Sequence, residues 1–120
     1  MLMQISARSL LALAGLFSLA IAQPALARPF VYTSAFEYGT NVNECLDSAE
    51  QVLSEAGFTE YLERDVRTDK IASVSGEMPS DAVSADILCD QSLGITVLSV
   101  AGLDADLTYE KYDQLFDTEW

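Results

Sequence analysis

"NVNECLDSAEQVLSEAGF" (residues 41–58) reads as an amphipathic helix with both ends marked. Val42, Cys45, Leu46, Ala49, Val52, Leu53 and Ala56 recur at helical spacing and form one apolar stripe, with Glu44, Asp47, Ser48, Gln51 and Glu55 on the other side. Asn41 followed three positions later by Glu44 has the chemistry of a capping box, in which each side chain reaches an amide that the first turn leaves without a partner. Gly57 suits a left-handed stop, and Phe58 stands where a Schellman ending sets an apolar residue against Leu53. A helix with a single apolar stripe needs a surface to cover, so the flanking segments should supply a sheet.

Working outward, "FVYTSAFEY" (30–38) alternates along aromatic and β-branched residues and reads as a strand ended by Gly39-Thr40-Asn41. "TEYLERDVRTD" (59–69) is ambiguous between a short helix, an edge strand and a packed loop. "KIASVSGE" (70–77) reads as a strand in which Gly76 marks a bulge or a close backbone approach. "ADILCD" (85–90) alternates with Ala85, Ile87 and Cys89 on its inner face. Gln91-Ser92 permits a tight reversal into a central strand, apolar on both faces from Ile95 to Ala101. "LDADLTYEKYDQLF" (103–116) offers Asp104 or Asp106 as the cap of a short terminal helix. The expected class is α+β: an antiparallel sheet of about four strands, with one long amphipathic helix packed on one face and a short C-terminal helix. If the first two strands pair in parallel across the helix, that crossover should be right-handed.

The N-terminus points to export. Arg8 precedes an apolar run from Leu10 to Ala22, which is too short for the roughly 20 residues of a membrane span, and Ala25-Leu26-Ala27 supplies small residues for a signal peptidase. A signal peptide cleaved after Ala27 is expected. It leaves residues 28–120 as a single secreted α+β domain, in a bacterial periplasm or outside the cell. No membrane insertion is expected after cleavage.

Charge narrows the partners. The chain carries 19 acids against 6 basic residues, a formal net charge of −13. Removing residues 1–27 takes away Arg8 and no acid, leaving −14. A field of that sign repels phosphate backbones and anionic headgroups, so nucleic acid is not an expected partner; a protein or small ligand remains open. Mutual repulsion should also raise carboxyl pKa values, so that stability falls as pH climbs.

Cys45 on the inner helix face and Cys89 on an inner strand face are best paired as a structural disulfide, given an even cysteine count and an oxidising destination. Two free buried thiols, or a metal or redox role, are the alternatives. A separation of 44 lacks the C-x-x-C spacing of a catalytic dithiol.

The chain contains no histidine, which removes the commonest general base and zinc ligand together with Ser-His-Asp and Cys-His catalysis. No G-x-G phosphate loop occurs in 28–120. The expectation is therefore no catalytic residue, no cofactor and no resident metal site, and a non-catalytic acidic domain that binds a protein or small ligand. The alternative is a calcium-responsive protein using Asp104, Asp106, Glu110 and Asp113. That cluster departs from an EF-hand loop, since numbering from Asp104 puts Tyr109 at the glycine position and Leu115 at the bidentate glutamate. Phe30, Tyr32, Phe36 and Tyr38 form an aromatic strand face that reads as core or, on an exposed strand, as a binding patch.

Asn41 ahead of Cys45-Leu46, Ala56-Gly57-Phe58, a strand ending Ser75-Gly76-Glu77, Ile87-Leu88-Cys89 and "VLSVAGLD" (97–104) together resemble a loose group of small exported bacterial α+β proteins, frequent in cyanobacteria. The resemblance implies the same helix-to-strand disulfide and brings no activity with it.

Overall fold

A computed structural model describes residues 28–37 and 41–120. The expected signal peptide and its cleavage after Ala27 lie outside the described residues, as do Tyr38 and the Gly39-Thr40 break. The described chain runs β1 (Phe30–Glu37), α1 (Val42–Glu55), β2 (Glu60–Val66), β3 (Ile71–Glu77), β4 (Val83–Asp90), β5 (Ile95–Gly102) and α2 (Ala105–Phe116). The sheet order is β1-β5-β4-β3-β2 and every pairing is antiparallel.

The helix ends form as the local chemistry directs. Asn41 Oδ1 accepts from the Glu44 amide at 2.9 Å, which is the Asn41 half of the capping box. The Val42 amide donates instead to Gln91 Oε1 at 3.1 Å, tying the helix start to the β4–β5 turn. At the far end Phe58 N donates to Leu53 O and Gly57 N to Ser54 O, with Gly57 at φ +96°: a Schellman ending. Lys111 Nζ, reaching over from α2, donates to the Ala56 carbonyl at 3.0 Å. A cation at a helix C-terminus complements the dipole there.

Two corrections concern the sheet. It has five strands rather than about four, because the ambiguous segment supplies β2. This strand is hard to read because it is a polar edge, in which only Leu62 is even partly buried. The other difference is that the first two strands expected from sequence, 30–38 and 70–77, do not pair across the helix. They are β1 and β3: β1 pairs antiparallel with β5 at one edge, and β3 lies between β4 and β2.

Smaller differences follow the same logic. β4 begins at Val83, two residues before the alternation in 85–90 becomes clean. The reversal into β5 takes four residues, since Asp90 is directly opposite Ile95. Asp90 Oδ1 organises that turn by accepting from Ser92 Oγ and Leu93 N, and Gly94 sits at φ +66°.

Both helices lie on one face of the sheet. α1 covers β2, β3 and β4, while α2 covers β5 and β1. Between them and the sheet is the core: Leu46, Leu53, Phe58, Val74, Ile87, Leu98, Val100 and Leu115 are each at most 3% exposed. Burying a side chain of this size stabilises by about 1.5–3 kcal/mol. The inner positions of the strands close tightly on their cover. A Cβ at Gly76 would stand 2.7 Å from the Phe58 carbonyl, and one at Gly102 would overlap Thr108 Oγ1. Gly76 is thus a close backbone approach, its register with Ala85 unbroken. The bulge is across from it, in β2 between Glu60 and Glu63.

The expected disulfide is present. Cys45 and Cys89 are bonded with Cα atoms 6.1 Å apart, joining the first turn of α1 to the end of β4. Cys45 Sγ also lies 3.5 Å from Thr96 Oγ1, a buried hydroxyl on β5 directly opposite Cys89. The α+β class and the helix-to-strand bridge are therefore as the sequence reads. No helix among the described residues is long and apolar enough to cross a membrane.

Candidate functional site

Side chains alternate across a strand, so positions that do not point into the core point to the other face. Neither helix packs there. The register sets this open face out in rows. One runs Ala35, Val97, Leu88, Ser73, Asp65; the next runs Thr33, Ser99, Asp86, Ser75, Glu63; a third runs Val31, Ala101, Ser84, Glu77. Short side chains occupy the middle of the second and third rows. Their shortness leaves a shallow depression of about 230 Å³ between β2, β3, β4 and β5.

Asp86 is at the centre of the second row, on the middle strand of the five, between Ser75 and Ser99. Burial among these neighbours holds its carboxyl above the usual carboxylate range; Arg67 partly offsets this, and Asp65 adds to it. Glu63, Glu77 and Tyr61 complete the wall. Tyr61 is 75% exposed and is the one described non-glycine residue in the left-handed region, at φ +50°. It belongs to the β2 bulge, where two residues face one and a side chain is re-aimed. Backbone strain held in place beside a depression is a pointer to use. Beyond the bulge Glu60 stands directly opposite Glu77. Like charges in register repel, so this end of the face favours a cation arriving from outside.

The residues singled out from sequence have other positions. Asp104 caps α2, its Oδ1 accepting from the Leu107 amide at 3.0 Å, and Asp106 is in the first turn, where negative charge complements the dipole. Among the described residues no group of three or more acidic or cysteine side chains is placed to hold a metal ion, so the calcium cluster draws no support from geometry. Tyr32 packs edge-on to Tyr109 with ring centroids 5.4 Å apart and tilted to Tyr112 at 5.7 Å, while Phe36 meets Trp120 at 5.4 Å. Those strand aromatics are the margin of the core under α2. Phe30 remains 47% exposed, and Tyr38 is outside the described residues.

The expectation that repulsion raises carboxyl pKa values holds in direction at Asp86, but the leading cause there is burial. At Asp90 the direction is reversed, because the Ser92 hydroxyl bond holds the carboxyl down. Charge outside the open face is partly neutralised. Arg64 on β2 donates to Glu50 Oε2 at 2.6 Å and Asp47 Oδ1 at 2.8 Å on α1, and those two bonds raise its pKa.

Asp86 is not conspicuous in the sequence, where it is one acid among 19. Its signal is the company it keeps: outward positions of the three inner strands carrying Ser75, Ser84, Ser99 and Ala101 rather than bulky residues. Comparison with known proteins leaves the assignment to this geometry, since no family model, no curated protein and no solved structure matches the chain.

Proposed function

We propose that this is a non-catalytic, exported binding module that receives a lysine- or arginine-bearing protein segment on the open face of its sheet, one cationic side chain lying over Asp86. The observation that carries the reading is the half-buried Asp86 carboxylate at the floor of a depression on the face that neither helix covers. An ammonium or guanidinium there gains a charge-assisted hydrogen bond where water is partly excluded. The exposed Tyr61 ring offers a cation a second, π-type contact. The apolar positions Leu88, Ile95 and Val97 on the same face accept the aliphatic stem of a long basic side chain. Export is supported by the N-terminal pattern of residues 8–27, with which the disulfide is consistent. The lack of histidine supports the non-catalytic reading.

The test is calorimetric titration with an extended lysine-rich peptide. Asp86→Asn should weaken binding about tenfold or more, the value of one hydrogen bond to a charged group. Asp106→Asn changes net charge equally on the covered side and should leave affinity within about twofold. Equal losses from both variants would mean that only net charge is being read, and the site assignment would fail.

A further inference from the structure

The two edges of the sheet are built differently. β2 carries Glu60, Glu63, Arg64 and Asp65 in seven residues, together with a bulge and the left-handed Tyr61. Charges and bulges of this kind stop an edge from pairing with another chain. β1 has no bulge, and its single charge is Glu37 at its last position. From Phe30 to Phe36 it holds no Asp, Glu, Lys or Arg, in a chain of net charge −13. Its register with β5 is unbroken over eight residues, and its outer edge has no strand partner among the described residues. Phe30 and Val31 are 47% and 60% exposed on opposite faces of it, and Tyr109 and Phe116 of α2 stand exposed beside it.

The order of residues in β1 points to what pairs there. Read outward from Thr33, the strand is nearly its own mirror: Tyr32 and Ser34, then Val31 and Ala35, then Phe30 and Phe36. Antiparallel pairing about a two-fold axis through Thr33 therefore sets Phe30 opposite Phe36 of the second copy on the helix side and Val31 opposite Ala35 of the second copy on the open side. Aromatic meets aromatic and small apolar meets small apolar, as favourable cross-strand pairs require. The two Glu37 carboxylates fall at opposite ends, roughly 27 Å apart at the usual strand rise. An acidic chain meets itself with least repulsion at this edge.

We infer that β1 is a self-association edge, and that two copies join antiparallel through it into a continuous ten-stranded sheet with both helix layers on one side. The inference is independent of the cation-binding reading, because it uses the edge and not the open face. A perpendicular two-fold axis keeps both open faces on the same side, so the dimer presents two Asp86 depressions to one partner.

Sedimentation velocity on the purified, disulfide-intact protein tests it, with loading concentrations up to about 1 mM, where even a weak pairing populates the dimer. Thr33→Lys and Thr33→Glu each put like charges face to face on the axis, and each loses the same Thr33–Ser99 hydroxyl contact. The expected result is dimer for the wild type, monomer for either variant alone, and dimer again when the two are mixed in equal amounts. Recovery in the mixture shows that the variants fold. Wild type that stays monomeric at the highest concentration overturns the inference, as do charged variants that still dimerise alone or a mixture that does not pair.

Discussion

Replacing both cysteines by alanine in a Cys45→Ala/Cys89→Ala protein removes the disulfide cross-link between the helix layer and the sheet. Alanine is preferable to serine at these sites, because both are at most 2% exposed and a hydroxyl buried there without a full partner adds a separate cost of about 1–3 kcal/mol. With a sequence separation of 44, chain-entropy arithmetic for the closed loop returns about 4 kcal/mol at 25 °C. A domain of this size has a net stability of about 5–14 kcal/mol, so the bridge contributes a large share of it. In urea, with a slope near 1.5 kcal/mol/M, the midpoint should move down by between about 2 and 3 M. The assay is equilibrium unfolding followed by Trp120 fluorescence and far-ultraviolet circular dichroism together, which also checks two-state behaviour. A midpoint that moves by less than about 0.5 M would show instead that noncovalent packing of α1 holds the helix on the sheet without the bond.

Gly76→Ala should destabilise by about 1–3 kcal/mol, the usual cost of forcing an extra group into packed structure. The new Cβ would meet a backbone carbonyl 2.7 Å away that cannot easily retreat, and a urea midpoint equal to wild type would contradict the close approach. Asp86→Asn should stabilise the protein at neutral pH. Burial raises the Asp86 pKa in the folded state, so folded protein binds that proton more tightly than the unfolded chain does. The stability linked to Asp86 is therefore present in acid and is lost as pH rises through its raised value. Unfolding midpoints from pH 3 to 7 should show the variant pulling ahead of wild type only above the ordinary carboxylate range. A variant less stable than wild type at pH 7 would be the wrong sign.

How much could be read without the structure depended on burial. α1 is legible because its apolar stripe, Asn41 cap and Gly57 stop all describe the same helix, and six of its residues are buried. β4 is legible because Ala85, Ile87 and Cys89 alternate with Asp86, Leu88 and Asp90, and β5 because Ile95 to Ala101 is a near-continuous apolar run following a turn signal. The disulfide follows from two inward-facing positions on elements that must pack together. β2 escapes, since an edge strand has little to bury and is protected by charge; Glu63, Arg64 and Asp65 carry no two-residue apolar rhythm. The placement of β1 beside β5 escapes as well, because partner choice among strands rests on which faces and edges remain open after the meander forms, and local patterning does not record it. Asp86 escapes for a related reason: its environment is assembled by residues of neighbouring strands far off in sequence.

The calcium reading shows the converse limit. Asp104, Asp106, Glu110 and Asp113 are close in sequence, and proximity along the chain suggests a cluster. In the fold Asp104 is engaged by an amide of its own helix. Acidic residues at a helix start are sufficiently accounted for by capping and the dipole.

Cation recognition at Asp86 is tested most directly by titrating isotope-labelled protein with the lysine-rich peptide and following amide and side-chain chemical shifts. A cationic side chain seated over Asp86 gives saturable shifts concentrated on Asp86, Ser75, Ser84, Ser99 and Tyr61, with α2 and its Asp104–Asp113 segment unmoved. Shifts spread evenly over the acidic residues of both helices, or centred on α2 with Asp86 silent, would contradict it.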